Sequence, residues 1–142
     1  MRAAGLVTRS IPGEGLLYRL FNTIGETLPS MALARQAVTF AKGKPRRAVQ
    51  DAAGAVAGQL AAMVQPLAAP LFEEHRAAGR PVVLATTTPY DLVAPMAAAL
   101  GFDAVLATRY QVDDRERHTG SIDGEFVWSQ GKARSVAVWA RA

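Results

Sequence analysis

The sequence predicts an α/β fold, in which a helical segment precedes a βαβ unit and a β-hairpin. Three observations predict it. Up to about Gly79 the chain is rich in alanine, and its apolar residues recur at helical rather than alternating spacing. Beyond that point two short apolar runs, Pro81 to Thr86 and Phe102 to Thr108, bracket an amphipathic stretch closed by Gly101. Two polar-rich stretches, Arg109 to Val112 and Gly120 to Val127, then flank the charged turn Asp113-Asp114-Arg115-Glu116-Arg117.

Each element has a local reason. Leu16, Leu17, Leu20, Phe21 and Ile24 share one helical face, which predicts a helix over 14–24. Ser30 is placed to cap a helix running to about Lys42, and Gly43 ends it. Pro45 sits where a helix over 46–63 begins. Gly54 and Gly58 lie within that helix, where small residues four apart mark close packing but cost about 1 kcal/mol each relative to alanine. Pro66 and Pro70 break the run, and Leu67, Leu71, Phe72 and His75 fit one face of a short helix ending near Gly79.

Pro81-Val82-Val83-Leu84-Ala85-Thr86 reads as a strand buried on both faces of a parallel sheet. Pro89-Tyr90-Asp91 opens a helix with Leu92, Val93, Met96, Ala97 and Leu100 on one face. Thr88 is placed to cap it, with Pro89 at its first position. The run from Phe102 to Thr108 completes a right-handed βαβ unit. The hairpin is expected to extend that sheet, and Gly131-Lys132 opens a last helix through Val136, Val138 and Trp139 that the chain end leaves uncapped.

Composition narrows the chemistry. The 142 residues are 50% hydrophobic and 20% charged, a globular balance that argues against disorder and sets an expectation of one domain's worth of chain. No window approaches the roughly 18–20 uninterrupted apolar residues of a membrane span. The absence of cysteine excludes a disulfide framework, a thiol nucleophile and any cysteine-bound metal. It is compatible with a reducing compartment, and cytoplasmic placement is the expectation. The net charge of +4 is spread too evenly to form a nucleic-acid footprint.

Several polar clusters read as structural. His75 is expected to be half-buried on a helix, and His118 to be solvated in the hairpin turn. Neither has the surrounding carboxylates of a metal site. Asp113, Asp114 and Glu116 interleave with Arg115 and Arg117, as in a solvated turn with local ion pairs. Lys42, Lys44, Arg46 and Arg47 read as a charged loop between helices. Trp128 and Trp139 read as packing residues.

Four segments, taken in order and spacing, resemble the haloacid dehalogenase superfamily, and within it the phosphoserine-phosphatase-like branch, subfamily IB. They are His75 to Gly79 with Pro81 to Pro89; Gly101 to Thr108; Thr119 to Gly124; and Gly131-Lys132. The resemblance implies an incomplete Rossmann-like core over 75–142, and more loosely a helical cap segment over 1–74. It also implies roles. Thr86 matches the hydroxyl that ends the family's second motif and donates a hydrogen bond to the phosphoryl group. Thr87 and Thr88 lie in the loop that also touches the phosphate. Lys132 matches the third-motif lysine, which neutralises charge on the nucleophile and phosphoryl oxygens. Phosphoryl transfer consists largely of positioning and charge stabilisation, and a hydroxyl with an ammonium supplies part of both. The implied reaction is hydrolysis of a small phosphorylated metabolite through an aspartyl-phosphate, with Mg²⁺ as the family's cofactor.

The sequence departs from that family at two places. The first motif, Asp-x-Asp-x-Thr, is absent, and no aspartate precedes Asp51. Only ten residues follow Lys132, against about 11–12 for a mean helix, leaving no room for the acidic fourth motif. The expectation is therefore a piece of a larger phosphatase-like domain, inactive alone, with no metal ligands of its own. A non-catalytic remnant that binds an anion or another protein is the alternative. An exposed sheet edge where the missing strand would pair predicts self-association.

Overall fold

In the computed structural model, residues 36–63 and 68–142 are described; the expected helix over 14–24, Ser30, Pro66 and Leu67 lie outside them. Residues 36–40 are helical and turn at Gly43. Helix α1 (Arg46–Ala62) starts after Pro45, and α2 is Ala68–Ala77. Strand β1 (Val83–Thr86), helix α3 (Tyr90–Leu100) and strand β2 (Ala104–Ala107) form the expected βαβ unit. Strands β3 (Arg109–Val112) and β4 (His118–Asp123) form the hairpin, and α4 is Gln130–Trp139. No helix among the described residues is long and apolar enough to cross a membrane.

Strands β1 and β2 pair in parallel, Thr86 opposite Ala107. Asp103 extends the ladder: its N–H donates to the Val82 carbonyl (2.9 Å), and its carboxylate accepts the Val82 N–H (2.6 Å). With one neighbour each among the described residues, the strands are half-buried apart from buried Ala107, not buried on both faces as expected. The hairpin also differs from expectation, forming its own antiparallel pair and not extending this sheet. The break falls at Thr108, whose carbonyl accepts the Tyr90 N–H (2.9 Å). Strand β4 starts at His118, earlier than expected, because Asp113 closes the turn early. Its carboxylate accepts the N–H groups of Arg115 and Arg117, each at 2.9 Å, which holds it below the usual carboxylate range, the Arg117 bond contributing most.

The core lies where α1 packs on α3. Helix α1 buries Ala52, Ala53 and Ala57, and α3 buries Asp91, Val93 and Ala97. The close packing expected of Gly54 and Gly58 is instead made by these alanines, since both glycines face open space. Helix α3 ends as expected, with Gly101 in the left-handed region at φ 72°. Thr88 does not cap it; Pro89 holds the cap position, and no side chain bonds there. The last carbonyls of α3 are taken by Arg76 of α2, whose guanidinium donates to Leu100 (2.9 Å) and Gly101 (2.7 Å). Helix α4 stops at Trp139, with the Ala140 N–H returning to the Val136 carbonyl, so it does not run to the chain end.

Candidate functional site

The carboxyl-terminal edge of a parallel βαβ sheet is where backbone groups and helix starts converge on a ligand. Here that edge carries the turn Thr86-Thr87-Thr88-Pro89 between β1 and α3. Thr86, half-buried, accepts the Thr88 N–H on its Oγ1 at 3.1 Å. That bond folds the loop back over the strand end, as serine and threonine do in short turns. It occupies a lone pair of the hydroxyl and leaves the hydroxyl proton to be donated elsewhere.

Thr108, only 1% exposed, pins the edge from the β2 side. Its carbonyl holds the first N–H of α3, and its Oγ1 accepts the Val127 N–H at 3.0 Å. The second bond brings the segment before α4 to the same edge as the Thr86 loop. Helix α4 packs against both β1 and β2. Lys132, half-buried, stands in the first turn of α4.

The chain needs an unusual path to put Lys132 there. Trp128 N–H returns to the Phe126 carbonyl (2.8 Å), and Ser129 adopts φ 47°, in the left-handed region that non-glycine residues enter at a cost. Gly131 follows with its N–H on the Trp128 carbonyl (2.8 Å). A Cβ at Gly131 would collide with the Phe126 carbonyl oxygen, so glycine at this position is a steric requirement of the turn. Glu125 anchors the same turn through an ion pair with Arg134 (2.7 Å).

Thr108 was not a candidate from the sequence. Its signal was present, because both strands carry the same tetrapeptide, Val83-Leu84-Ala85-Thr86 and Val105-Leu106-Ala107-Thr108, one register step apart. Next to it, the Arg109 guanidinium lies 3.6 Å from the centre of the Tyr90 ring, a stacked pair at the start of α3.

Both histidines differ from expectation. His75 is exposed, its Nδ1 accepting from Arg80 Nε at 2.9 Å. His118 is 3% exposed and not solvated, because residues 43–46 fold back over it. Among the described residues no three histidines or carboxylates are grouped to hold a metal ion. The described residues therefore do not by themselves make a Mg²⁺ site, and no step is assigned to a metal.

The comparisons agree with this architecture. A protein of unknown function from Bordetella pertussis Tohama I superposes with a TM-score of 0.67 at 25% identity, over 96% of this chain and 62% of that one. The Streptomyces azureus inhibition of morphological differentiation protein is 36% identical over 92 residues, 62% of this chain and 33% of its own length. Protein CicA of Caulobacter vibrioides is 34% identical over 86 residues, 60% of this chain and 39% of its own. A probable phosphatase of Mycobacterium tuberculosis is 35% identical over 69 residues, 49% of this chain and 23% of its own. The chain thus matches between about a quarter and two fifths of the length of these curated relatives. The family of haloacid dehalogenase-like hydrolases matches over residues 3–142, through the βαβ unit, the Thr86 loop and the Gly131-Lys132 turn alike, and the chain belongs to that family.

Proposed function

We propose that the chain is the phosphate-binding part of a phosphomonoester hydrolase of the phosphoserine-phosphatase-like branch. The Thr86 hydroxyl, already accepting from Thr88, donates its proton in a hydrogen bond to a phosphoryl oxygen. The Lys132 ammonium offsets the charge that grows on the phosphoryl oxygens. Thr87 and Thr88 line the same turn. Residues 1–74 act as the cap that selects a small phosphorylated metabolite, and residues 75–142 act as the core. The observation that supports this reading is the Thr108–Val127 bond, which ties the segment before α4 to the sheet edge that carries the Thr86 turn.

The chain alone does not turn over an ester. It has no Asp-x-Asp to supply the nucleophile and the general acid, and no grouped carboxylates among the described residues. Those groups would come from the rest of a longer protein. The same two observations favour the alternative for the isolated chain, an anion-binding remnant of the fold. The test is turnover in the full-length protein. Lys132→Ala and Thr86→Val should each lower kcat by about 10²–10³, the cost of losing one preorganised oxyanion donor. Unchanged kcat in both variants contradicts the assignment of the site.

A further inference from the structure

His118 is the buried polar group that the proposed phosphate chemistry does not use. Its imidazole is 3% exposed, and neither Nδ1 nor Nε2 has a hydrogen-bond partner. A buried polar atom left unpaired calls for a specific cause.

The ring is enclosed by a second pairing of β4. Besides β3, where His118 faces Val112, the strand is joined by residues 43–46. The His118 N–H donates to the Lys44 carbonyl (3.0 Å), and its carbonyl accepts the Gly43 N–H (2.8 Å). One step further, the Arg46 N–H donates to the Glu116 carbonyl (2.9 Å), and Pro45 bridges Arg117. Arg117 also donates from Nη1 to the Gly43 carbonyl (2.6 Å), and the Lys42 side chain lies against Gly120. The segment leading into α1 thus forms an added edge of the hairpin, with His118 at the seam.

The packed elements place charged or titratable groups around the ring. From α1, Arg46 Nε lies 3.1 Å from both carboxylate oxygens of Asp91. From α3, Asp91 is 8% exposed and also accepts from Gln50 Nε2 (3.0 Å). From the turn, Glu116 lies 3.6 Å from Arg46 Nη1. From β3, Tyr110 meets the ring edge-on at 5.7 Å. The Asp91 carboxylate is already engaged by Arg46 and Gln50. A proton on His118 would therefore add a second cation beside Arg46 in a site closed to water.

We propose that His118 is a proton-operated latch, which holds residues 43–46 against β4 while neutral and releases them when it takes up a proton. The direction of its titration agrees with that geometry. Burial pushes the His118 pKa below 6.5, Asp91 and Glu116 oppose the shift, and Arg46 adds to it. The latch does not rest on the assignment of the phosphate site, because it uses none of Thr86, Thr87, Thr88 and Lys132.

Amide hydrogen exchange of the full chain between pH 7.5 and 5 tests it. If opening takes up one proton, protection of the Gly43, Arg46 and His118 amides falls up to tenfold per pH unit below about 6.5. Protection at Asp103, in the parallel sheet, should hold over the same range. His118→Phe should keep the seam closed at every pH. Should that variant fail to fold, an NMR titration of the imidazole in the wild-type chain decides, and a folded-state pKa at or above 6.5 overturns the proposal. A flat profile at the seam, or an equal loss at Asp103, overturns it as well.

Discussion

At the scale of single residues, position and steric fit decide more than residue type. Gly131 is the clearest case. A Cβ there meets a backbone oxygen that cannot step aside, so Gly131→Ala should cost about 1–3 kcal/mol in urea unfolding, the usual range for forced overpacking. It should also weaken anion binding, because the turn that delivers Lys132 must shift. Asp91 is the opposite case, a buried charge kept by its partners. Asp91→Ala removes the acceptor that Arg46 and Gln50 share and leaves Arg46 only its longer pair with Glu116. Breaking a fully buried pair costs about 3–5 kcal/mol, but the Arg46 side chain is 30% exposed, so a loss of about 1–3 kcal/mol is expected. Thr86, Thr87, Thr88 and Lys132 stand out as candidates in the sequence only because the family resemblance implies roles for them. Thr108 and His118 do not stand out. Their burial is set by Val127 and by residues 43–46, and no local pattern announces contacts at that separation.

At the scale of elements, punctuation residues carried most of the information. Pro89 and Gly101 bracket α3 closely, and Pro45 precedes α1 by one residue. The hairpin was legible as a pair of strands but not in its limits, since the Asp113 carboxylate closes the turn by bonds that charge alone does not reveal. The glycines of α1 were misread for a related reason. Spacing showed that Gly54 and Gly58 share a face, but not that the face is open while Ala52, Ala53 and Ala57 make the contact. Gly54→Ala and Gly58→Ala should therefore each stabilise the chain by about 0.5–1 kcal/mol, seen as a higher urea midpoint with an unchanged slope. Gly101→Ala should do the reverse, by about 1–2 kcal/mol, because its left-handed conformation also brings a Cβ within 3.1 Å of Arg76.

At the scale of the whole molecule, the two proposals concern two different seams. One is the sheet edge where β1, β2 and α4 meet. The other is the junction of α1, α3 and the hairpin, where pH should be felt. Below about 6.5 the unfolded chain protonates His118 while the buried ring resists. The unfolded state then binds more protons, so stability should fall as pH drops from 6.5 and level off above it. Equilibrium unfolding across pH 5–8 checks that sign. The central claim concerns the first seam, that the Thr86 turn and Lys132 together hold a phosphate. The most direct measurement is an amide NMR titration of this chain with inorganic phosphate. The account predicts saturable shifts at Thr87, Thr88, Gly131 and Lys132, with affinity at least about tenfold weaker in Lys132→Ala, a loss of about 1.4 kcal/mol. Saturable shifts confined to the basic residues 42–47, or none at the sheet edge, would contradict it.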